Sequence, residues 1–164
     1  MNQSLFKIAS PLFQTNKTIL MDNVIHFNKW GGENGLEKFI IDQTGCKPFN
    51  GAGINYRKTK KTTILKSVDN TYYYDDNLAD PNNVEYTLFG HDGDQNEAEA
   101  RFNEPLLNSE KTEHIYLYRV SPLTRGQEYL WYGKYEIIGQ TIKQHQGKDC
   151  RMRNIVVLSL KRLN

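Results

Sequence analysis

The chain has 164 residues, 38% of them hydrophobic and 24% charged, and a formal net charge of +2 at pH 7. This length predicts about one domain with a buried core, and this composition excludes a disordered or fibrous chain. No apolar run is long enough to cross a membrane, and the N-terminus lacks an apolar signal segment. Only Cys46 and Cys150 are present, so we expect a cytoplasmic protein without a zinc site.

The first fifty residues carry few structural signals. Turn chemistry occupies 30–35, and 36–42 predicts a short helix with Gly45 near its end. We therefore expect residues 1–50 to form an N-terminal segment that packs on, or precedes, a second unit at 51–164.

Short strands dominate the second unit. Alternating apolar and β-branched residues predict strands at 62–68, 84–89, 114–120, 129–138 and 154–160. One helix interrupts them: Asp94 stands at an N-cap position, Ala98, Phe102 and Leu106 follow at four-residue spacing, and Pro105 should end or kink the helix. The expected fold class is α+β, with a curved, barrel-like sheet and few helices.

Catalytic motifs are missing from the sequence. The acid–lysine pair of PD-(D/E)xK nucleases, a G-x-S-x-G turn, a Walker-type loop and a dinucleotide fingerprint are all absent. The histidines His26, His91, His114 and His145 are scattered, which favours structural or surface roles over an HNH site. We expect no catalytic residue, metal or cofactor in this chain.

The most unusual stretch is aromatic and acidic. Tyr72, Tyr73 and Tyr74 precede Asp75 and Asp76, and a second aromatic stretch follows at 86–89. Two aromatic rings can sandwich a base, and a carboxylate can accept a hydrogen bond from the N4 amino group of cytosine. Tyrosines are also common in strands and Asp-Asp-Asn in turns, and spacing alone favours that simpler interpretation.

An ordered series of motifs resembles the SRA domain, also called the YDG or SAD/SRA domain. The resemblance is to the version attached to bacterial McrA-like, modification-dependent (type IV) restriction endonucleases, and it covers roughly residues 50 to 160. The motifs, in chain order, are 53–62, Tyr74-Asp75-Asp76, Tyr86-Thr87 with Gly90, Gly93, Asp94 and Gln95, Asn103 with Leu106, 115–118, and 132–135.

The resemblance implies a PUA-like curved β-barrel that flips a modified cytosine, 5-methylcytosine or 5-hydroxymethylcytosine, out of duplex DNA into a pocket. Tyr86 would be one stacking wall, and Tyr73 or Tyr74 would be the other. The carboxylate that binds the cytosine amino group would be Asp76 or Asp75. These roles are carried over from the family to the matching positions of this chain.

The same resemblance to the SRA domain implies roles for the residues around this pocket. Thr87 would offer backbone groups to the base, and Gly90, Gly93 and Asp94 would shape the loop after the pocket strand. The family usually has a glycine two residues after the stacking tyrosine. This chain has Leu88 there, which either narrows the pocket or points into the core.

Two basic clusters are candidates for binding phosphates. The first contains Arg57, Lys58, Lys60 and Lys61, and the second contains Lys148, Arg151 and Arg153. Such clusters supply much of the affinity of DNA-binding proteins. A third group, formed by Tyr116, Tyr118, Tyr129, Trp131 and Tyr132, alternates along predicted strands and is interpreted as core packing.

Together these features predict the non-catalytic reader of a modification-dependent restriction system. Its partners would be double-stranded DNA carrying modified cytosine and a nuclease domain or subunit supplied elsewhere, and we expect no membrane partner. Two alternatives stay open: a PUA-like RNA-binding module, and a nuclease with an unrecognised active site.

Overall fold

The computed structural model describes residues 19–20, 23–68, 76–90, 94–95, 100–147 and 149–164. Within these ranges the chain forms eight strands and two α-helices. The strands are β1 (Ile19–Leu20), β2 (Val24–Phe27), β3 (Ile54–Arg57), β4 (Thr62–Val68), β5 (Asn83–Thr87), β6 (His114–Pro122), β7 (Gln127–Gln146) and β8 (Met152–Leu163). The helices are α1 (Leu36–Thr44) and α2 (Ala100–Leu107), and a 3₁₀ turn covers Lys58–Lys60.

All eight strands belong to one curved sheet. Its order is β1-β2-β7-β6-β4-β3, and β8 pairs with both β7 and β5. Only the β4–β6 pair is parallel among the described strands. The twenty-residue β7 pairs with β6 as far as Tyr135 and with β8 from Lys134 to Gln146. Because one long strand serves two halves, with a bulge between Ile137 and Gly139, the sheet bends around an interior. This confirms the expected α+β fold class.

Both faces of the central strands are buried. Successive side chains of a strand point to opposite faces. Leu65 lies in the inner core and Ile64 in an outer core, and neither is exposed to solvent. Leu117 and Tyr118 on β6 divide in the same way. The protein therefore has one core inside the curved sheet and a second on its outer face.

Helix α1 covers the outer core. Leu36 and Ile40 are four residues apart and fully buried, which gives the helix a single apolar face. Gly45 ends the helix in the left-handed region, with φ of 65°, and its N–H group donates to the Ile41 carbonyl at 2.7 Å. The helix predicted over 36–42 is confirmed and continues to Thr44.

The aromatic group packs beneath this helix, as the sequence predicts. Tyr118, Tyr129 and Trp131 belong to the outer core, and the ring of Trp30 lies 5.5 Å from that of Tyr118. Strand β2 pairs with β7 beside them. Residues before position 50 thus contribute two strands to the same sheet and one helix that packs on it.

The Asp94 carboxylate, expected at the N-cap of the second helix, accepts hydrogen bonds from the backbone and side-chain nitrogens of Asn154 at 2.6 and 3.2 Å. Its N-cap role stays a prediction, because residues 96 and 97 lie outside the described residues. Ala98 lies outside the described residues. Helix α2 contains Pro105 and ends two residues after it, as expected. Neither described helix has the length and apolar character needed to cross a membrane.

Candidate functional site

The curved sheet has one place where side chains replace the backbone ladder. Strand β3 pairs with β4 only as far as Leu65, after which the Gly53 carbonyl accepts the Lys66 N–H group at 2.8 Å. The end of β4 beyond this point, 66–68, faces β5 across a gap, which we call the seam. Hydrogen bonds from side chains cross the seam, and they position Asp76, Tyr86 and Thr87.

Asp76 lies in the seam and joins its two sides. One carboxylate oxygen accepts the Ser67 hydroxyl of β4 at 2.7 Å, and the other accepts the Thr87 N–H group of β5 at 2.6 Å. Hydrogen bonds to a carboxylate are stronger than those between neutral groups. The half-buried Asp76 carboxylate is therefore held in one orientation.

Thr87 presents polar groups to the same gap. Its N–H group binds Asp76, and strand geometry points its carbonyl toward the same edge of β5. Its hydroxyl is buried and makes no hydrogen bond within the described chain, and the residue is only 4% exposed. An unsatisfied buried hydroxyl costs about 1–3 kcal/mol, which a ligand with a matching polar group can recover.

Tyr86 closes the seam from inside. Its side chain is 4% exposed and packs in the inner core, and its hydroxyl donates to the carbonyls of Gly53 at 3.0 Å and Lys66 at 3.3 Å. Leu88 is fully buried in the same core, so it points inward. The stacking role of Tyr86 stays a prediction, because Tyr73, Tyr74 and Asp75 lie outside the described residues.

Two buried amides fix the segment after β5. Gln95, 1% exposed, donates to the carbonyls of Leu88 and Gly90 and accepts the Val156 N–H group. Asn103, fully buried on α2, binds both backbone groups of Phe89. The end of the pocket strand is thus held between β8 and α2.

The loop after β5 contains one of the two predicted glycines within the described residues. Gly90 has φ of 133°, a conformation that favours glycine, whereas Gly93 lies outside those residues. The Gly90 carbonyl also accepts a 2.8 Å hydrogen bond from Arg153 Nη1, and Arg153 is only 6% exposed. The expectation that Arg153 contacts phosphate is therefore corrected, because this guanidinium is buried and positions the loop. In the same cluster, Arg151 has a side chain that is 87% exposed, and Lys148 lies outside the described residues.

The first basic cluster surrounds the 3₁₀ turn, and three of its members have intramolecular partners. Arg57 Nη2 donates to the Lys47 carbonyl at 2.5 Å, and Lys61 pairs with Glu113 at 2.7 Å. Lys60 Nζ donates to the Gly45 carbonyl, at the end of α1, at 2.8 Å. All four cations are exposed.

The turn and the seam lie at opposite ends of β4. Five residues separate Thr62 from Ser67, a distance of roughly 17 Å along a strand. The structure therefore brings together Asp76, Tyr86 and Thr87, and places the turn one strand length away.

Sequence reasoning missed three residues of this site. Gln95 and Asn103 belong to the motif series but had no assigned role, and their full burial is visible only in the structure. Ser67 carried no signal, because its partnership with Asp76 depends on how β4 and β5 meet.

The comparisons with known proteins point to a shared fold. No protein-family model matches the sequence, and no curated protein matches it significantly. The structure of KRYPTONITE in complex with mCHH DNA, an H3(1–15) peptide and SAH is 17% identical, with a TM-score of 0.55, over 85% of this chain and 31% of that one. The complex of the SUVH5 SRA domain with methylated CHH DNA is 19% identical, with a TM-score of 0.53, over 82% of this chain and 88% of that one.

A restriction endonuclease is also represented among the similar structures. The modification-dependent restriction endonuclease TagI is 16% identical, with a TM-score of 0.51, over 77% of this chain and 47% of that one. The chain thus spans most of an isolated SRA domain, but less than a third of KRYPTONITE and less than half of TagI. At these identities the likeness establishes the fold.

Proposed function

We propose that this chain, which has the fold of an SRA domain, reads 5-modified cytosine in duplex DNA by taking the base out of the helix. It would serve as the specificity domain of a modification-dependent restriction system. The observation that carries the proposal is the Asp76 carboxylate, held at the seam by Ser67 and by the Thr87 N–H group.

This carboxylate favours a base whose exocyclic group is an amino donor, which holds for cytosine and also for adenine. Cytosine presents its N4 amino group as a donor, whereas guanine O6 and thymine O4 are acceptors that a negative oxygen repels. A carboxylate has about four lone-pair sites, and Ser67 and Thr87 each donate to one oxygen. We infer that a bound base donates its amino group to this carboxylate.

Entry of a base requires the seam to widen. Tyr86 is 4% exposed, so its ring becomes accessible only when the hydroxyl bonds to Gly53 and Lys66 are released. The hydroxyl has one proton, which these two carbonyls share, and one such hydrogen bond contributes about 0.5–1.5 kcal/mol net. Stacking of a base on an aromatic ring contributes about 1–3 kcal/mol, which is enough to offset its loss. We assign the opposite wall to Tyr73 or Tyr74.

The exposed cations of the turn are proposed to bind phosphates. Arg57, Lys58, Lys60 and Lys61 lie roughly 17 Å from the seam, the length of about five nucleotides at about 3.4 Å per step. The turn would therefore contact the backbone beside the flipped nucleotide rather than the nucleotide itself.

Cleavage is assigned to a nuclease domain or subunit outside this chain. Support comes from TagI, in which this fold accounts for 47% of a modification-dependent restriction endonuclease.

Fluorescence anisotropy with matched duplexes carrying cytosine, 5-methylcytosine or 5-hydroxymethylcytosine tests the proposal. At least one modified duplex should bind more tightly, and Asp76→Asn should remove that preference because the amide adds a donor facing the N4 donor. Asp42→Asn is the matched control, since Asp42 is an exposed residue of α1 that pairs with Lys38. Equal affinity for all three duplexes would overturn the proposed function.

Two further measurements address the alternatives. Preferential binding of RNA of the same sequence would replace DNA with RNA as the ligand. Cleavage of modified DNA by the purified chain with a divalent metal would show an active site in this chain and contradict a purely reading role.

A further inference from the structure

The second half of β7 has an edge that no described strand covers. Strand β6 pairs with this edge only as far as Tyr135, whereas β7 continues to Gln146 with β8 on its other edge. Side chains along this stretch are mainly exposed, including Ile138 and Ile142 at 57% each. Edge strands of monomeric proteins are usually protected by charges or proline. Between 138 and 146 the only Lys, Arg, Asp or Glu is Lys143, and there is no proline.

An apolar groove lies where this edge begins. It has a volume of about 600 Å³, and the exposed side chains of Leu107, Ile138 and Leu163 contribute to its lining. Glu136 contributes an acidic group to the groove. A groove of this size can receive an apolar side chain from another molecule.

The tip of the β7–β8 hairpin has the complementary chemistry. Met152 is 64% exposed, and the adjacent Arg151 has a side chain that is 87% exposed, with its Nε 3.9 Å from the carboxylate of Asp149. Met152 pairs with Gln146, the last residue of β7. One end of the uncovered edge is therefore an apolar groove with an acidic group, and the other end is an apolar and basic tip.

We propose that two copies of this chain pair antiparallel through these edges, with the tip of each copy in the groove of the other. Antiparallel pairing of a strand with its own copy has two-fold symmetry, so both ends make the same contact. The geometry favours the register with Ile142 opposite Ile142 of the second copy. That register sets Gln146 beside Ile138, which brings Met152 to the groove and Arg151 toward Glu136.

The faces of the strands agree with this register. Beyond the bulge at Ile137 and Gly139, even-numbered residues of β7 share one face, because Ile142 pairs with Val156 and Gln146 with Met152. A two-fold axis perpendicular to the sheet keeps each face on the same side in both copies. Lys143 then stands opposite Thr141 of the second copy, so no like charges meet.

The interface is also large enough for a stable dimer. The uncovered edge, the hairpin tip and the groove lining together comprise roughly 25 residues per copy, within the roughly 20–30 that a standard interface uses. The contact leaves the seam free, since β8 and β5 lie between β7 and the seam.

Sedimentation equilibrium of the purified chain without DNA tests this proposal. We expect a concentration-dependent rise to twice the 19.1 kDa of one chain. Ile142→Lys places two like charges on the symmetry axis and should weaken dimerisation about tenfold or more. Leu123→Lys is the control, since Leu123 is 54% exposed on the turn between β6 and β7 and should leave the dimer intact.

A charge exchange tests the groove contact separately. Arg151→Glu should weaken the dimer, and adding Glu136→Arg to it should restore dimerisation. The proposal would be overturned by any of three results. These are a monomer at every concentration, equal effects of Ile142→Lys and Leu123→Lys on dimerisation, or failure of the charge exchange to restore the dimer. These samples contain no DNA, so the result for dimerisation does not depend on whether the chain binds modified cytosine. DNA binding is measured separately, by anisotropy on the Ile142→Lys variant.

Discussion

The hydroxyl of Tyr86 can be removed without removing its ring, which separates closure of the seam from stacking. Tyr86→Phe deletes the one hydroxyl proton that is shared between the carbonyls of Gly53 at 3.0 Å and Lys66 at 3.3 Å. The Gly53 carbonyl keeps its bond from the Lys66 N–H group at 2.8 Å. At about 0.5–1.5 kcal/mol for one hydrogen bond, the free energy of unfolding should fall by about 1 kcal/mol. For a chain of this size that lowers Tm by roughly 2–4 °C.

The same substitution should not weaken binding to modified DNA. If this shared hydrogen bond must break before a base reaches the ring, the Tyr86→Phe variant starts with it already broken. Its binding should therefore stay equal or become up to about tenfold tighter. Thermal melting gives the first quantity, and anisotropy with modified and unmodified duplexes gives the second. 2-Aminopurine placed beside the target base reports its unstacking.

Tyr135→Phe is the matched control for this experiment. Tyr135 is buried, and its hydroxyl donates to the Pro81 carbonyl at 2.6 Å, away from the seam. Its loss should lower stability with no effect on DNA. A Tyr86→Phe variant that binds modified DNA at least tenfold more weakly would refute the reasoning, since the hydroxyl would then be needed in the complex. A Tyr86→Leu variant with unchanged preference would exclude the stacking role.

Further predictions follow from other contacts. Gln95→Leu removes the partner of the Leu88 carbonyl and of the Val156 N–H group, while the Gly90 carbonyl keeps its bond from Arg153. Stability in urea unfolding should fall by about 2–4 kcal/mol, and a loss below about 0.5 kcal/mol would contradict this. Lys58→Ala should weaken binding to all duplexes alike and reduce the salt slope by about 1, without changing Tm. Lys60→Ala should also weaken binding to all duplexes alike, and it should lower Tm slightly because the Lys60 ammonium group binds the end of α1. If either variant altered the preference for modified DNA, a phosphate contact of that lysine would be excluded. Burial raises the pKa of the Tyr118 and Tyr135 hydroxyls, so these groups ionise at lower pH in the unfolded chain than in the folded one. The free energy of unfolding should therefore fall as pH rises above about 10, and a constant value across that range would contradict this.

Local patterns predicted the elements whose structure depends on nearby residues. Strand β4 has the bounds that its β-branched residues indicate, and Gly45 ends α1 because the left-handed conformation suits glycine. Tyr118 and Trp131 are buried, as alternation along a strand predicts. In each case the decisive contacts lie within one element or on one face of it.

Roles that depend on distant partners were beyond the sequence. The bonds that the Asp94 carboxylate accepts from Asn154, sixty residues later, had no signal in the sequence. Arg153 belongs to a basic cluster, yet it is buried and donates to the Gly90 carbonyl. The motif series identified Asp76 and Thr87, and only the tertiary structure shows that they hydrogen-bond to each other. The chemistry of a residue was thus readable from its type, while its partner was set by packing.

Because side chains rather than a backbone ladder join β4 to β5, these two strands can separate more easily than the other neighbouring strands of the sheet. Most strand pairs resist separation through many backbone bonds that must yield together, whereas Tyr86 and Asp76 can release their partners one at a time. Widening along that single line leaves the backbone ladders between the other strands intact. An opening of this kind needs no hinge and no domain movement, and the energy that it demands is set by a handful of exchangeable polar contacts.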